Sequence, residues 1–335
     1  MQFGQDKTLG VVYLTTMDRP DAALALALLH GYEGKREARE AAISIVGSGL
    51  GAATFCDIVA RVYLGQGPLP NSNRTLPVGL VAEGALPADP AMVAPVLDRK
   101  NDKGEPMYPR GVRLVSDTSE VRAQIRNSMT GFVNGSVVVV LSAAATPLAQ
   151  VLDLAGTRDL IAAKVRTLVI VTTDGKTPDT AAARRVLKDW PTPVVLIHQL
   201  IGSAAQYPAS SIDNDFSWAP VHPVVDAYRA FKQGAYDAPS WDLAALQYAI
   251  HPDSAFWRLS APGALDVNGS GEFVFAEAPA GKHRIVTLAA DQVDALRKVL
   301  VEIASAKPVP RQQRFRPPQA SPPPPAPAKP EQKKQ

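Results

Sequence analysis

The sequence predicts an α/β protein built on a mainly parallel, Rossmann-like sheet covered by helices on both faces. Two observations carry that prediction. β-branched runs such as SVVVVL (136–141) and TLVIVT (167–172) carry consecutive apolar residues that point to both faces, so both faces of each strand must be buried. These runs also alternate with Ala/Leu-rich segments of helical period, the rhythm of repeated strand–helix–strand units. A third observation marks where the rhythm ends. Beyond residue 250, short strand signals flank the turn-rich APAGK (278–282), which predicts a short antiparallel hairpin near the C-terminus.

Taken in order, Gly10–Thr15 reads as a strand and Pro20–Gly31 as a helix. Ala42–Val46 and Ala52–Tyr63 repeat that pair, and Leu76–Val81 is a further short strand. Ser119–Met129 is helical, 136–141 a buried strand, and Leu148–Lys164 helical. After strand 167–172 come a helix over Thr180–Lys188 and a strand over Thr192–His198. Val221–Phe231 and Trp241–Ile250 read as helices. Phe273–Phe275 and His283–Leu288 form the expected hairpin, and Asp291–Ser305 closes as an amphipathic helix. No internal repeat is visible.

The 335 residues are 46% hydrophobic and 20% charged, a globular mixture with ample material for a core. Proline departs from it: ten of the 30 fall in 307–335, with seven basic residues and one acid. Residues 1–306 therefore hold 28 basic and 31 acidic residues, and the positive net charge belongs to the tail. The expected organisation is an α/β domain over 1–306 followed by a disordered, Pro-rich basic tail over 307–335. The tail could touch a polyanion weakly or dock on a proline-binding groove, but the folded part presents no basic face calling for specific nucleic-acid binding. Cys56 is the only cysteine, which excludes an internal disulfide framework and a thiolate zinc cluster. No apolar run reaches the ~18 residues needed to span a bilayer, and the N-terminus lacks signal-peptide features. The expected protein has no membrane partner, and its compartment stays open: cytoplasmic, or exported with a leader removed.

In parallel sheets ligands sit outside the carboxyl ends of the strands. Candidate loops are therefore 15–21, 47–51, 142–146 and 172–178, together with the region around Asp242. IVGSGLGAA (45–53) places Gly47, Gly49 and Ala52 in the G-x-G-x-x-G/A spacing of a dinucleotide-binding turn. The acid expected about 20 residues later is missing, since that stretch reads LGQGPLP. A tight strand-to-helix turn requires glycine for steric reasons alone.

The exit of the first strand, LTTMDRPDAALALALLHG (14–31), resembles the start of the inosine-uridine-preferring nucleoside hydrolases, whose first strand ends in D-x-D-P-G-x-D-D-A. Asp21 and Ala22 match the last Asp-Ala of that pattern. Pro20 replaces the preceding aspartate, Thr16 and Leu14 replace the two earlier ones, and Asp18 falls on the glycine. The resemblance continues at low identity through 136–154, 164–175 and 179–197. In SWDLAALQYAIHPDSAF (240–256), Asp242 matches the aspartate of the family's H-D-x-x-A motif, and Trp241 stands where the histidine belongs. The family's E-F-N segment is absent between Gly175 and Asp179.

What the resemblance implies is a nucleoside-hydrolase-like fold and hydrolysis of the N-glycosidic bond of a ribonucleoside or related glycoside by metal-bound water. Its metal is Ca2+, for which Asp21 and Asp242 are the implied ligands, with Thr16 and the backbone carbonyl near Ala145 as supplementary oxygens. Asp21 or Asp18 would serve as the catalytic base. Ser48, Asp174 and Trp241 are the candidate substrate-pocket residues, and a nucleoside or sugar-like small molecule the expected partner. Family members are commonly oligomeric, so a homo-oligomer is an expectation without an identified interface.

Two other readings stand beside it. The missing acids, E-F-N segment and histidine also describe a non-catalytic scaffold that binds a ligand or partner. A nucleotide-dependent oxidoreductase rests on Gly47, Gly49 and Ala52 alone. Asp18 and Asp21 also suit the head of a helix, as cap and first-turn acid, and Asp242 follows Ser240 in the same way. Asp174 fits a turn aspartate. A pocket plugged by Trp241 or Arg19 would favour the non-catalytic scaffold.

Overall fold

The computed structural model describes residues 8–64 and 77–309. Its centre is one sheet of ten strands: β1 (Leu9–Thr15), β2 (Ala38–Ile45), β3 (Val78–Leu80), β4 (Val137–Ser142), β5 (Val165–Val171), β6 (Val194–Ile197), β7 (Trp257–Leu259), β8 (Gly263–Val267), β9 (Phe273–Glu277) and β10 (His283–Leu288). Their spatial order is β3-β2-β1-β4-β5-β6-β10-β8-β9, with β7 pairing β10. From β3 to β10 along that order every pairing is parallel. The expected parallel sheet with helices on both sides is what the chain forms.

Strand alternation divides the interior into two cores. Val11 and Tyr13 of β1 join one apolar cluster, and Val12 and Leu14 join the other. The first core contains the helix Pro20–Lys35, which is buried continuously from Pro20 to Tyr32. Its near-uniform Ala/Leu sequence suits that position, because it packs against the helices 223–231, 241–250 and 293–304 while also covering the sheet. It ends where Arg36 turns into the left-handed region, with φ 61°. The second core lies under the helices Val121–Thr130, Thr146–Val151, Thr157–Lys164 and Thr180–Asp189.

Two of the expected elements take another form, and β7, β8 and three short helices at 94–98, 200–204 and 209–214 add to those expected. Leu148–Lys164 is two helices, broken where Gly156 adopts φ +72°. The antiparallel pair near the C-terminus exists, but Phe273–Glu277 takes β8 as its partner rather than His283–Leu288. His283–Leu288 instead extends the main sheet in parallel with β6 and meets β7 and β8 on its other side. The GALDV of β8 is short and carries an aspartate, so its alternating burial could not be separated from a loop by composition. The Pro-rich stretch expected to be disordered lies outside the described residues from 310 onward. No helix among the described residues is long and apolar enough to cross a membrane.

Candidate functional site

Register brings the strand exits together. Thr15, the last residue of β1, pairs with Ile45 on one side and Ser142 on the other, so the loops after β1, β2 and β4 emerge at one edge. Beyond Thr15 the chain turns sharply. Met17 is fully buried in the left-handed conformation, φ 54°, with its N–H donated to the Thr15 hydroxyl at 3.1 Å. A methionine there costs about 1–2 kcal/mol of backbone strain, a feature that concentrates at functional turns. The turn delivers Asp18 and Arg19 to the carboxyl edge. Arg19 then caps the helix Pro20–Lys35 through its carbonyl, with Asp21 in the first turn.

Asp21 and Asp242 meet, although 221 residues separate them: Oδ2 of Asp21 accepts the backbone N–H of Asp242 at 3.0 Å. Asp21 is 2% exposed and Asp242 is fully buried. Between them lies the Arg19 guanidinium. Its Nε donates to Asp21 Oδ1, one Nη to Asp18 Oδ1 and the other to Asp242 Oδ1, each at 3.2 Å. The second Nη also donates to Ser142 Oγ at 3.2 Å. Ser142 in turn donates to Asp242 Oδ1 at 2.6 Å, and the Tyr13 hydroxyl donates to Asp242 Oδ2. Thr16 Oγ1 donates to Asp18 Oδ1.

Electrostatics follows from this packing. Burial, and then repulsion from Asp242, raise the pKa of Asp21, while Arg19 pulls it back. Burial opposes the charge on Arg19, yet Asp242, Asp21 and Asp18 outweigh it and raise its pKa further. Burial and the neighbouring Asp242 push the Tyr13 phenol well above its ordinary value, so it remains a donor. The cluster is a cation held by three carboxylates.

This donor set does not fit a calcium ion. Calcium requires six to eight oxygens with free lone pairs directed at it. Here the oxygens of Asp242 accept Tyr13, Ser142 and Arg19, and those of Asp21 accept Arg19 and an N–H. A positive charge already sits among them. Among the described residues, no group of three or more His, Cys, Asp or Glu is disposed to hold a metal. The Ala145 carbonyl, expected as a supplementary oxygen, accepts Ala149 N–H at 3.0 Å inside the next helix.

Beside the cluster opens a cleft of about 380 Å³, at the carboxyl ends of β1, β4 and β5. Thr16, Arg19, Ser142, Thr172, Asp174 and Phe273 are among the residues that line it. Asp174 sits in a turn at the border of this cleft. It faces the cleft, and its Oδ1 accepts Lys176 N–H at 3.1 Å, shaping a turn completed by Gly175 at φ +82°. Ser48 and Trp241 do not line the cleft. Ser48 donates to the Thr16 carbonyl at 2.6 Å and fastens the β2 loop to the β1 loop. Trp241 donates Nε1 to the Gln199 carbonyl at 2.9 Å, with its ring against Gly202. The plug considered for Trp241 is absent from this cleft. Arg19 does reach it.

The glycine turn serves the chain itself. Gly51 N–H donates to Asp89 Oδ1 at 2.7 Å, and a Cβ at Gly49 would lie 2.4 Å from the same oxygen. An internal carboxylate thus takes the position that a phosphate would need. Gly47, at φ +82°, supplies the left-handed bend. Asp89 and Tyr13 carry no site signal in the sequence, and Ser142 stands there only as the start of a candidate loop. Tyr13 reads as core in GVVYLT, and only the adjacency of Arg19 to two acids hints at its bridging role.

The fold so described is nucleoside-hydrolase-like. No family model matches the chain, and no curated protein matches it. Among solved structures, the plant nucleoside hydrolase PpNRh1 superposes with a TM-score of 0.60 at 14% identity, covering 89% of this chain and 99% of that one. The purine-preferring ribonucleoside hydrolase from Gardnerella vaginalis gives 0.61 at 11% identity, covering 88% and 99%. The type III effector protein XopQ, solved with adenosine diphosphate ribose, gives 0.58 at 13% identity, covering 90% and 95%. These similarities establish a shared architecture.

Proposed function

We propose that this protein binds a small, hydroxyl-bearing ligand of the nucleoside or sugar-nucleotide class in the cleft beside Arg19, without metal-dependent hydrolysis. The three-way bridge from Arg19 to Asp18, Asp21 and Asp242 is the observation that carries this reading. It commits to internal ion pairs the carboxylates that a metal-activated water would require. The lining supports the ligand class. Thr16, Ser142 and Thr172 line the cleft with hydroxyl oxygens that can accept from a ligand, Asp174 adds a carboxylate, and Phe273 offers an apolar face. About 380 Å³ lies at the lower end of small-molecule sites. The solved nucleoside hydrolases of the same fold make nucleosides the first compounds to try.

One observation favours a second, hydrolytic reading. The Asp18 side chain keeps 48% of its surface exposed, so its carboxylate is open to solvent beside the cleft. There it could take a proton from water attacking an N-glycosidic carbon.

Ligand-observed NMR with a panel of ribonucleosides and adenosine diphosphate ribose tests the first reading. Saturation transfer is expected from at least one compound, and its loss is expected in Ala143→Trp, which fills the cleft. No transfer from any panel member would overturn it. Chromatography of the same mixtures tests the second, because release of free base in EDTA would establish metal-independent hydrolysis.

A further inference from the structure

The carboxylate cluster raises a question that ligand binding does not answer: what balances two buried acids at the base of the cleft? Asp21 and Asp242 are 2% and 0% exposed, and unpaired burial of one carboxylate is prohibitive. The Arg19 side chain, 23% exposed, lies over them. It offers three differently directed nitrogens to three different carboxylates, a planar division of donors that a lysine ammonium cannot reproduce. Its backbone is fixed as the N-cap of a sixteen-residue helix, just after the strained turn at Met17. Ser142 and Tyr13 complete the acceptance by Asp242. All three carboxylates of the cluster meet the same guanidinium.

We infer that Arg19 is the resident cation of this site, so that the folded protein is complete without a divalent ion and neither binds nor is stabilised by one. The inference rests on the same site as the proposed function but concerns its cation rather than its ligand. Two consequences distinguish it from an incidental surface ion pair. Chelators and calcium should leave wild-type stability unchanged. Loss of the guanidinium should leave buried acids uncompensated, and a cation supplied from solution should then stabilise the variant.

Thermal unfolding of the full chain tests this with wild type, Arg19→Ala and Arg19→Lys, each in EDTA and in millimolar calcium. Terbium luminescence, excited through the protein's aromatic residues, serves as a second readout. The expected result is an identical Tm for wild type in both buffers and no saturable terbium signal. Arg19→Ala is expected to melt several degrees lower in EDTA and to recover part of that loss in calcium. Arg19→Lys should fall between the two, keeping the charge but losing the three-way division. Should Arg19→Ala fail to fold in EDTA, Arg19→Lys still carries the comparison. A calcium-dependent rise in wild-type Tm, or saturable terbium binding by wild type, would overturn the inference, as would Arg19 variants as stable as wild type in EDTA. None of these results depends on cleft occupancy. Failure of the NMR experiment leaves this inference standing; calcium binding by wild type would remove the metal-free part of the proposed function while leaving ligand binding itself to the NMR result.

Discussion

The Tyr13 hydroxyl donates to Oδ2 of Asp242, joining the middle of the first strand to the first turn of a helix that begins more than 220 residues later. Both side chains are fully buried. The two oxygens of Asp242 are not equally provided for. Oδ1 accepts from Ser142 and Arg19, whereas Tyr13 is the side-chain donor to Oδ2 among the described residues. Tyr13→Phe preserves the ring and strands that oxygen in the core, which costs about 1–3 kcal/mol. Ser142→Ala leaves Arg19 on Oδ1 and should cost less. Urea denaturation of both variants checks the order. A Ser142→Ala loss equal to or above that of Tyr13→Phe would show that Oδ2 does not depend on the phenol.

Two glycines in one helix separate packing from propensity. A Cβ at Gly31 would stand 2.2 Å from the Ile303 carbonyl oxygen and 2.9 Å from its Cγ2, in the closing helix that packs across it. At Gly34 the nearest atom, a Val309 methyl, is 3.6 Å away. Alanine gains up to about 1 kcal/mol over glycine in a helix interior, but overpacking against a backbone that cannot yield costs about 1–3 kcal/mol or more. Gly31→Ala is therefore expected to destabilise and Gly34→Ala to be neutral or mildly stabilising. Thermal melts of the pair would contradict this if both moved in the same direction.

Much of this arrangement was legible in the residues. Strands buried on both faces require apolar runs, and runs such as 136–141 and 167–172 mark β4 and β5 within a residue or two. Asp21 and Asp242 could be matched to a known pattern from opposite ends of the chain, and they do meet. What lay beyond reach was the partner of each group. The sequence cannot distinguish an arginine that points to solvent from one that turns inward, because that depends on the left-handed backbone at Met17. Asp89 and the glycines of 47–51 meet only through the fold. The chain-end strands eluded composition for a related reason: β10 reads equally well as half of a hairpin or as an extension of the parallel sheet.

Glu40 gives an acid-base prediction away from the cleft. It lies on β2, 6% exposed, and burial followed by repulsion from Glu33 pushes its pKa from 4.5 up to about 8. The native state thus holds a proton that the unfolded chain releases, so stability rises as pH falls from about 8 towards 4.5. Above that window the charged carboxylate destabilises the fold. Glu40→Gln, the neutral isostere, is expected to exceed wild type by on the order of a few kcal/mol at about pH 9, an advantage that declines as pH falls below about 8 and is gone near 4.5. Urea midpoints across that range measure it. Equal stability at the alkaline end would mean that Glu40 is not strained by its charge.

His222 should act in the opposite direction. Its ring is enclosed by the edges and faces of Tyr63, Phe216 and Trp218, and Nδ1 accepts the Val224 N–H at 3.3 Å, capping the helix that follows. That bond requires an unprotonated Nδ1, and Nε2 is buried without a partner among the described residues. Burial accordingly depresses the pKa from 6.5 to about 3. The unfolded chain takes up a proton that the native state refuses. The stabilising contribution is complete above about 6.5 and is lost as pH falls towards 3, at up to about 1.4 kcal/mol per pH unit. His222→Asn keeps a side-chain acceptor at the cap but cannot titrate. It is expected to be less stable at neutral pH, having lost the aromatic packing, yet to show a shallower decline in acid. Denaturation midpoints for both proteins between about pH 7 and pH 4 decide the matter, and parallel declines would assign the acid sensitivity to other groups.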